Sequence, residues 1–412
     1  MTMTKLDYPD ILSTLSQAAS SPTLQTDLSQ EERQTLYQTC TKLSSCLETP
    51  QDRLSRSSFD FILPTILRLA INIGIFDLFN KEDGPVPELD VSEIATHTNT
   101  DQALIARIMR FLITFDMFDV TPDGRCKANT FTKSFRSGNS LYDTVILLSG
   151  LTLVVFGSLP AYFQKMGNRH PEDSKTGLFQ DALDTDLHVY DWLGHRKPEK
   201  DACHQLMATS NSLNDSVWAY YLPQNWFSEK FVPGSNEITL VDVGGSSGKV
   251  LNAFLQRLPH SQARLILQDL PEVLEGQYDD ALRSQNIERV NHSFFDPQPI
   301  QGASLYILSR VLHNWPDREA SIILQHIQAA MNDQSTLLIC DCVFPDKLGK
   351  VPPSDATSDM LMMAVFASLE RSEGQFRALL QSIGLEVQRV WRDPVGDSLL
   401  AVLEVVRKKQ LS

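Results

Sequence analysis

The sequence predicts an α/β protein with a mainly α N-terminal part and a C-terminal domain built on a mostly parallel sheet. Beyond Pro233–Gly234, strand-length apolar runs alternate with helical patterns, namely ITLVDVGG, VLNAFLQRL, RLILQDL, SLYILSR, REASIILQHIQAAM and STLLICDCVF. Strands that alternate with helices form parallel sheets covered on both faces. A glycine cluster ends the first strand, where a doubly wound, Rossmann-like sheet binds a nucleotide. Residues 201–412 are therefore the predicted nucleotide-binding domain.

The bulk composition is that of a soluble globular protein. The 412 residues are enough for two domains, and 42% hydrophobic with 21% charged residues disfavours fibrous and fully disordered classes. The formal net charge of −15 repels phosphate backbones and acidic membrane surfaces, so we expect no nucleic-acid and no membrane partner. The six cysteines contain no CxxC pair, so we expect reduced thiols and no metal site.

The N-terminus and the longest apolar run both favour a cytoplasmic protein. Residues 1–10 lack the basic stretch followed by an apolar stretch that a secretory signal requires. The run VILLSGLTLVVFG, residues 145–157, is shorter than the roughly 20 residues that a membrane-spanning helix needs. We therefore expect this run to form a buried helix of a helical domain.

The N-terminal part contains two predicted regions. Residues 1–58 show helical periodicity without a catalytic motif, which indicates a helical arm. Residues 59–200 begin with short helical patterns in which Asp90 and Asp101 are placed as N-caps, and a hairpin follows with its turn at residues 122–124. Two capped helices and a hairpin are typical of a winged helix.

A winged helix often binds DNA, but this one is poorly suited to it. Its second helix offers Arg107 and Arg110 among apolar residues, whereas binding to phosphates needs several exposed cations. Packing or dimer formation is therefore the better interpretation of this region. A DNA-binding protein whose C-terminal domain senses a ligand is the alternative, and a salt-dependent gel shift would support it.

The glycine cluster is suited to the close approach of a ligand. Gly244 and Gly245 have no Cβ to block the backbone, and Gly248 allows the next helix to pack tightly against the strand. Asp269 ends the second strand, where an acid accepts hydrogen bonds from ribose hydroxyls. Glycines at these positions are also found in turns that bind no ligand. The prediction of a nucleotide site therefore depends on the combination of the glycines with Asp269. The spacing is not GxGxxG and no Lys-Ser/Thr follows, which disfavours NAD and a P-loop.

A set of motifs in a fixed order gives the chain a family resemblance. These motifs are LVDVGGSSG, LQDLPEV, FFDPQP, SRVLHNWPDREASIIL, DCVFPD and DMLMMAVFASLERSEGQFRALLQSIGL. They resemble those of the plant and fungal small-molecule O-methyltransferases of the caffeate type, class II. The resemblance covers about residues 187–406, and residues 59–135 are similar to that family's dimerisation domain. It implies a homodimer paired through the N-terminal domain, S-adenosylmethionine as cofactor and a small hydroxylated, often aromatic, secondary metabolite as acceptor.

The resemblance also implies roles for individual residues. By this resemblance, Gly244 is expected to contact the methionine part of the cofactor and Asp269 is expected to contact the ribose. Phe294 and Trp315 are expected to surround the adenine. The full cofactor set implied by the motifs is Asp242, Gly244, Gly245, Gly248, Asp269, Leu270, Ser293, Phe294, Ser309 and Trp315.

His313 corresponds to the family's general base, and Asp341 and Glu370 to the two acids that flank it. A carboxylate on one imidazole nitrogen fixes the tautomer and stabilises the imidazolium, and either acid would serve. Met360, Met362 and Phe366 lie where the family builds its acceptor pocket. Plain core packing explains the methionines equally well.

The sequence departs from the family pattern at several positions. Ser293 replaces the acid that usually binds the adenine amino group, Ser309 a basic residue, and Asn314 an aspartate. Ala367–Ser368 replaces a glycine pair. These departures favour an alternative function, a non-methylating pericyclase on the same scaffold that keeps S-adenosylmethionine bound. The main prediction remains an O-methyltransferase with His313 as general base.

Overall fold

The structure is a computed structural model. It describes residues 8–21, 23–79, 86–210, 219, 221–230, 238–257, 263–276, 287–393 and 398–408. The predicted composition change at Pro233–Gly234 lies outside the described residues. The chain divides into two compact units, Met1–Leu63 and Pro64–Ser412. Beyond residue 63, the predicted domains 59–200 and 201–412 thus belong to one compact unit. The boundary between them near residue 200 stays a prediction.

The first unit is helical, as the periodicity of the arm predicts. Its helices are Tyr8–Ala19, Leu24–Asp27, Gln30–Leu47 and Pro50–Ser57. Ser29 begins the longest of them with a reciprocal cap, since its hydroxyl accepts from the Glu32 N–H while the Glu32 carboxylate accepts from the Ser29 N–H. None of the three longer helices has a buried residue within the described chain.

The second unit begins with the predicted helices and hairpin. Its first helices are Ile62–Ile73, Ile75–Leu78, Val91–Thr98 and Gln102–Thr114. Asp90 and Asp101 cap the last two, because each carboxylate accepts hydrogen bonds from backbone N–H groups of the first turn. Three short strands, β1 (Glu88–Leu89), β2 (Asp119–Val120) and β3 (Cys126–Lys127), form an antiparallel sheet in the order β1-β3-β2. The predicted caps and hairpin are therefore present.

The apolar run is longer and less buried than the sequence predicts. It lies in one continuous helical stretch, Ser140–Lys165, of 26 residues, which includes a π-helical turn at Leu148–Thr152. Only 22% of its most apolar window is fully buried within the chain, although Leu151 and Val155 belong to a hydrophobic core, so the predicted buried helix is only partly buried. By length and composition this helix is able to cross a membrane, although a single such helix is weak support for a membrane protein.

Further helices lead to the main sheet. They are Thr130–Ser134, Leu178–Leu183, Val189–Gly194, Lys197–Ser210 and Gln224–Lys230. The predicted loop at residues 167–177 contains no helix or strand. All six cysteines are free thiols, as their spacing predicts.

The main sheet has seven strands and is mostly parallel, as predicted. Its strands are β4 (Ile238–Val243), β5 (Ala263–Asp269), β6 (Ile287–Asn291), β7 (Leu305–Ser309), β8 (Thr336–Cys342), β9 (Leu385–Arg392) and β10 (Leu400–Arg407). Their order is β6-β5-β4-β7-β8-β10-β9, with β10 antiparallel to both neighbours. The strands β4, β5 and β6 follow one another toward one edge of the sheet, and β7 starts on the other side of β4. Such a reversal of strand order opens a crevice at the carboxyl ends of the strands.

Alternating side chains of these strands fill two cores. Tyr306 and Leu308 of β7 pack into one core, and Leu305 and Ile307 pack into the other. The helices after the glycine loop are Lys249–Leu255, Pro271–Gly276, Asp317–Ala330, Pro353–Phe366 and Glu373–Ser382. Burial on both faces explains why the strands are continuous apolar runs rather than polar–apolar alternations.

Candidate active site

A cavity of about 710 Å³ lies at the carboxyl ends of β4, β5 and β7. Gly244, Asp269 and Ser309, which end or follow these three strands, all line it. This is the crevice that the reversal of strand order creates.

The glycine loop is shaped for close contact at two positions. Gly244 has a φ of +71°, and a Cβ there would lie 3.2 Å from Val311 Cγ2, facing the ring of Phe294. A Cβ on Gly245 would lie 2.4 Å from Asp242 Oδ2, which no side chain tolerates. Gly244 therefore leaves backbone open to the cavity, whereas Gly245 is required by packing behind the loop.

Asp269 holds the other side of the loop. Its Oδ2 accepts from the Ser246 N–H at 2.8 Å, and its Oδ1 accepts from the Leu270 N–H at 2.8 Å. Burial raises the pKa of Asp269, and these two backbone donors act against that rise. The carboxyl group is thus fixed on the cavity wall, as a ribose-binding acid requires.

An aromatic wall adjoins this loop. Trp315 is in edge contact with Phe294 and Phe295, with ring centroids 5.9 and 4.7 Å away. The imidazole of His188 stacks on Trp315 at 4.7 Å with an interplanar angle of 9°. All four rings line the cavity, and His188 is one that sequence reasoning missed.

His313 is held by a carboxylate. It lies in the 3₁₀ turn Leu312–Asn314 after β7, is 5% exposed and lines the cavity. Its Nδ1 is 3.0 Å from Glu370 Oε1, which also accepts from the Ser358 hydroxyl at 2.7 Å. Burial acts to raise the pKa of Glu370, but His313 and Ser358 outweigh it and lower the pKa. Glu370 is therefore the charged partner of the imidazole.

Asp341 lies close enough to His313 for the two charges to interact, but no hydrogen bond joins them. It is fully buried in β8, and neither carboxyl oxygen has a hydrogen-bond partner among the described residues. Burial raises the pKa of Asp341 to about 7, with the nearby Glu370 charge adding to the rise. Between the two acids that the sequence left open, Glu370 is the one bonded to His313.

Arg371 holds the turn that carries His313, and sequence reasoning missed it because ERSE reads as a solvated helix start. Its side chain is 1% exposed and donates to the Leu312 carbonyl at 2.9 Å and the Trp315 carbonyl at 2.7 Å. A further hydrogen bond joins its Nε to Asp317 at 2.9 Å. The planar guanidinium thus fixes the backbone on both sides of His313.

The predicted site residues divide into those on the cavity wall and those behind it. On the wall are Gly244, Asp269, Leu270, Ser293, Phe294, Ser309, His313, Trp315, Met362 and Phe366. Not on the wall are Asp242, Gly245, Gly248, Asp341, Met360 and Glu370. Met360 is 42% exposed, so its predicted place in the acceptor pocket has no geometric support.

Arg310 is a further cavity residue that the sequence did not single out. It follows the predicted Ser309, lines the cavity and has a left-handed backbone with φ of 53°. Its N–H donates to the Cys340 carbonyl at 2.8 Å. A non-glycine residue in this region is uncommon and often marks a functional site. The guanidinium of Arg310 thus lies one residue after Ser309, the position at which the family pattern has a basic residue.

Comparison with known proteins agrees with this geometry. The O-methyltransferase domain family matches residues 234–386, and the O-methyltransferase dimerisation domain family matches residues 55–137. Methyltransferase cfoC of Aspergillus candidus is 30% identical over 387 residues, which cover 92% of each chain. This chain belongs to the O-methyltransferase family. It is an S-adenosylmethionine-dependent enzyme, as the motifs predict.

Two further similarities place this O-methyltransferase among its relatives. Demethylsterigmatocystin 6-O-methyltransferase of Aspergillus flavus is 29% identical and covers 82% of this chain and 83% of its own. A solved structure described as a pericyclic reaction enzyme superimposes with a TM-score of 0.79 at 24% identity, covering 97% of this chain and 99% of that one. The second similarity shows that the O-methyltransferase fold is shared over nearly the full chain.

Proposed function

We propose that this O-methyltransferase methylates a hydroxyl group of a small aromatic or polyketide-type secondary metabolite, with His313 as general base. The observation that carries the proposal is the cavity-lining imidazole whose Nδ1 is bound to the buried Glu370 carboxylate. The name of the Aspergillus flavus relative, a demethylsterigmatocystin 6-O-methyltransferase, supports the O-methylation of a small molecule.

The residues of the glycine loop fit the cofactor. A Cβ on Gly244 would protrude against Val311 and Phe294, so glycine keeps open the space that the methionine part needs. Asp269 would hold the ribose, and the wall of Phe294 and Trp315 would contact the adenine. When bound, S-adenosylmethionine supplies an electrophilic methyl group.

His313 and Glu370 together remove the proton of the acceptor hydroxyl. Because Glu370 accepts the Nδ1–H of His313, Nε2 is left as the nitrogen that takes a proton from the acceptor hydroxyl. A phenol has a pKa near 10, so little phenolate exists at neutral pH and a base within reach speeds the reaction by about 10² to 10⁴. Glu370 stabilises the imidazolium that forms.

Methyl transfer from isotope-labelled S-adenosylmethionine to a panel of phenols and hydroxyanthraquinones tests the proposal. We expect labelled ether products with the wild type, and formation of the same products about 10² to 10⁴ times more slowly with H313Q. Transfer that persists in H313Q at the wild-type rate would remove His313 from the role of base.

A second candidate function is a pericyclic reaction without methyl transfer. Ser309 and Ala367–Ser368 favour it, because they replace the basic residue and the glycine pair of the family pattern. In that case the cofactor would be retained, unreacted and in equal amount to the protein, through many turnovers. Mass spectrometry of the bound nucleoside before and after turnover separates the two functions.

We also propose a homodimer formed through the N-terminal part of the second unit. The dimerisation domain match and the exposed apolar side chains of the helical stretch Ser140–Lys165, such as Leu141 and Val154, support it. Burial against a partner rather than in a membrane fits the predicted cytoplasmic location. We expect V154D to shift the sedimentation of the protein from dimer to monomer, while L348D, at a fully exposed position between β8 and the helix Pro353–Phe366, leaves it unchanged.

A further inference from the structure

His188 lines the cavity and carries a buried hydrogen-bonding atom that has no partner among the described residues. This atom is Nε2, and the residue is 7% exposed. A buried polar atom without a partner costs free energy. In a cavity that binds a ligand, such an atom is expected to pair with that ligand.

The tautomer of His188 follows from its other nitrogen. Nδ1 accepts from the backbone N–H of Tyr190 at 3.4 Å, where His188 caps the helix Val189–Gly194. Nδ1 therefore carries no proton in the neutral ring, and the proton lies on Nε2. Burial lowers the pKa of His188 to about 4, so the ring is neutral at pH 7. Nε2 is a donor and does not act as a base.

Glu319 offers the complementary atom. Its side chain is 11% exposed, the residue lines the same cavity, and Oε2 has no partner among the described residues. Oε1 accepts from Arg318 at 2.6 Å. The negative charge of Glu319 is close enough to His188 to raise the pKa of that imidazole, although burial has the larger, opposite effect. Hydrogen bonds also link the two residues, since the Ser174 hydroxyl is 3.5 Å from Glu319 Oε1 and Gln180 Nε2 donates to the carbonyls of Ser174 and of Leu187, which precedes His188.

The rings around His188 reach from the cofactor side of the cavity to the side of the acceptor pocket. One face of the imidazole stacks on Trp315, and its ring centroid is 6.5 Å from that of Phe366, which ends the helix Pro353–Phe366. Tyr190 bridges the same two elements, with its ring 5.7 Å from Phe366. This helix also carries Met362, on the side of the cavity where the motifs place the acceptor pocket.

We propose that His188 and Glu319 form a polar subsite that binds a second hydroxyl group of the acceptor molecule, distinct from the hydroxyl beside His313. The hydroxyl accepts from His188 Nε2–H and donates to Glu319 Oε2, which satisfies both buried atoms. The inference rests on the proposed function, and it narrows the acceptor to molecules with at least two oxygen substituents. Stacking against Trp315 holds the imidazole in place for this contact.

Binding of matched naphthols tests the subsite without requiring turnover. The probes are 2-naphthol and a set of naphthalenediols that each add one hydroxyl, titrated calorimetrically into protein saturated with S-adenosylhomocysteine. We expect at least one diol to bind the wild type about tenfold more tightly than 2-naphthol, the size of effect that one buried hydrogen bond gives. H188F keeps a ring against Trp315 but removes the donor, and we expect it to abolish this preference.

Two further variants make the result specific. E319Q keeps the size of the side chain and removes its charge, and we expect a partial loss of the same preference. H195F changes an exposed histidine at the other end of the same helix, and we expect it to bind all probes as the wild type does. Unchanged affinity for S-adenosylhomocysteine reports that each variant is folded.

Three results would overturn the subsite. The first is a wild type that binds no diol more tightly than 2-naphthol. The second is an H188F variant that binds 2-naphthol and the diols more weakly by the same factor. The third is an H188F variant whose binding of S-adenosylhomocysteine is weakened instead. The last result would place the pair against the cofactor. A wild type that prefers a diol but transfers no methyl group would leave the subsite in place and refute the proposed function.

Discussion

Two histidines on the wall of one cavity, His313 and His188, are buried to nearly the same extent but differ in their hydrogen bonds. His313 is 5% and His188 7% exposed. Nδ1 of His313 is bound to the Glu370 carboxylate, whereas Nδ1 of His188 accepts a backbone N–H. A carboxylate stabilises the imidazolium, and an N–H donor opposes protonation of the nitrogen that it binds. Burial lowers the pKa of His188, and the feature that separates the two rings is the carboxylate bound to Nδ1 of His313, which His188 lacks.

The largest effect is expected from removing the proton acceptor. H313Q should lower kcat by about 10² to 10⁴, the range typical of a lost general base. H188Q, the matched change at the other histidine, should lower kcat far less, because His188 accepts no proton in the reaction. Steady-state kinetics with saturating cofactor measures both. Equal losses in kcat would mean that the two histidines do not differ as their hydrogen bonds indicate.

Removing the charge of Glu370 should make His313 resemble His188. E370Q keeps the size of the side chain, but it no longer stabilises an imidazolium, and we expect kcat to fall about 10²-fold. E373Q is the matched control, since Glu373 lies in the same segment and pairs with Arg377 and Arg392 near the surface. A kcat for E370Q equal to that of E373Q would show that the carboxylate is dispensable.

Arg371 is a positioning residue that His188 lacks. Lysine cannot reproduce the planar fork that binds the Leu312 and Trp315 carbonyls. We expect R371K to lower kcat about tenfold and the free energy of unfolding by about 2 kcal/mol. Affinity for S-adenosylhomocysteine should fall less than kcat, because Trp315 is one of several predicted cofactor contacts, and this difference separates a displaced His313 from general damage. R377K, which changes a surface ion pair, should alter neither quantity.

The last effect leaves catalysis aside and concerns stability in acid. Because the folded-state pKa of His188 is lowered from 6.5 to about 4, its stabilising contribution is complete above pH 6.5 and is lost as the pH falls toward 4. Between these values H188F should therefore lose less free energy of unfolding than the wild type, by about 2 to 3 kcal/mol at most. Denaturant titrations at several pH values measure the difference. Parallel curves would show that the ring is protonated as readily in the folded chain as in the unfolded one.

Local patterns were enough to predict most of the scaffold. Strand-length apolar runs predicted β4, β5, β7 and β8 because both faces of a parallel sheet are buried, and the caps at Asp90 and Asp101 depend on residues one turn apart. The antiparallel pair β9 and β10 was not predicted, although EVQRVWR alternates in the manner of an edge strand. The exposure of the helical stretch Ser140–Lys165 was missed, since apolar composition does not show what covers a helix.

The sequence by itself determined the order of motifs, the glycine loop and the position of His313 after a buried strand, because these depend on residues close together in the chain. Only the tertiary structure decided that Glu370 rather than Asp341 binds His313, that Arg371 is buried against its turn, and that His188 and Glu319 share its cavity. These pairings join residues distant in sequence, and burial together with hydrogen-bond partners, which exist only once the chain is packed, sets their chemistry.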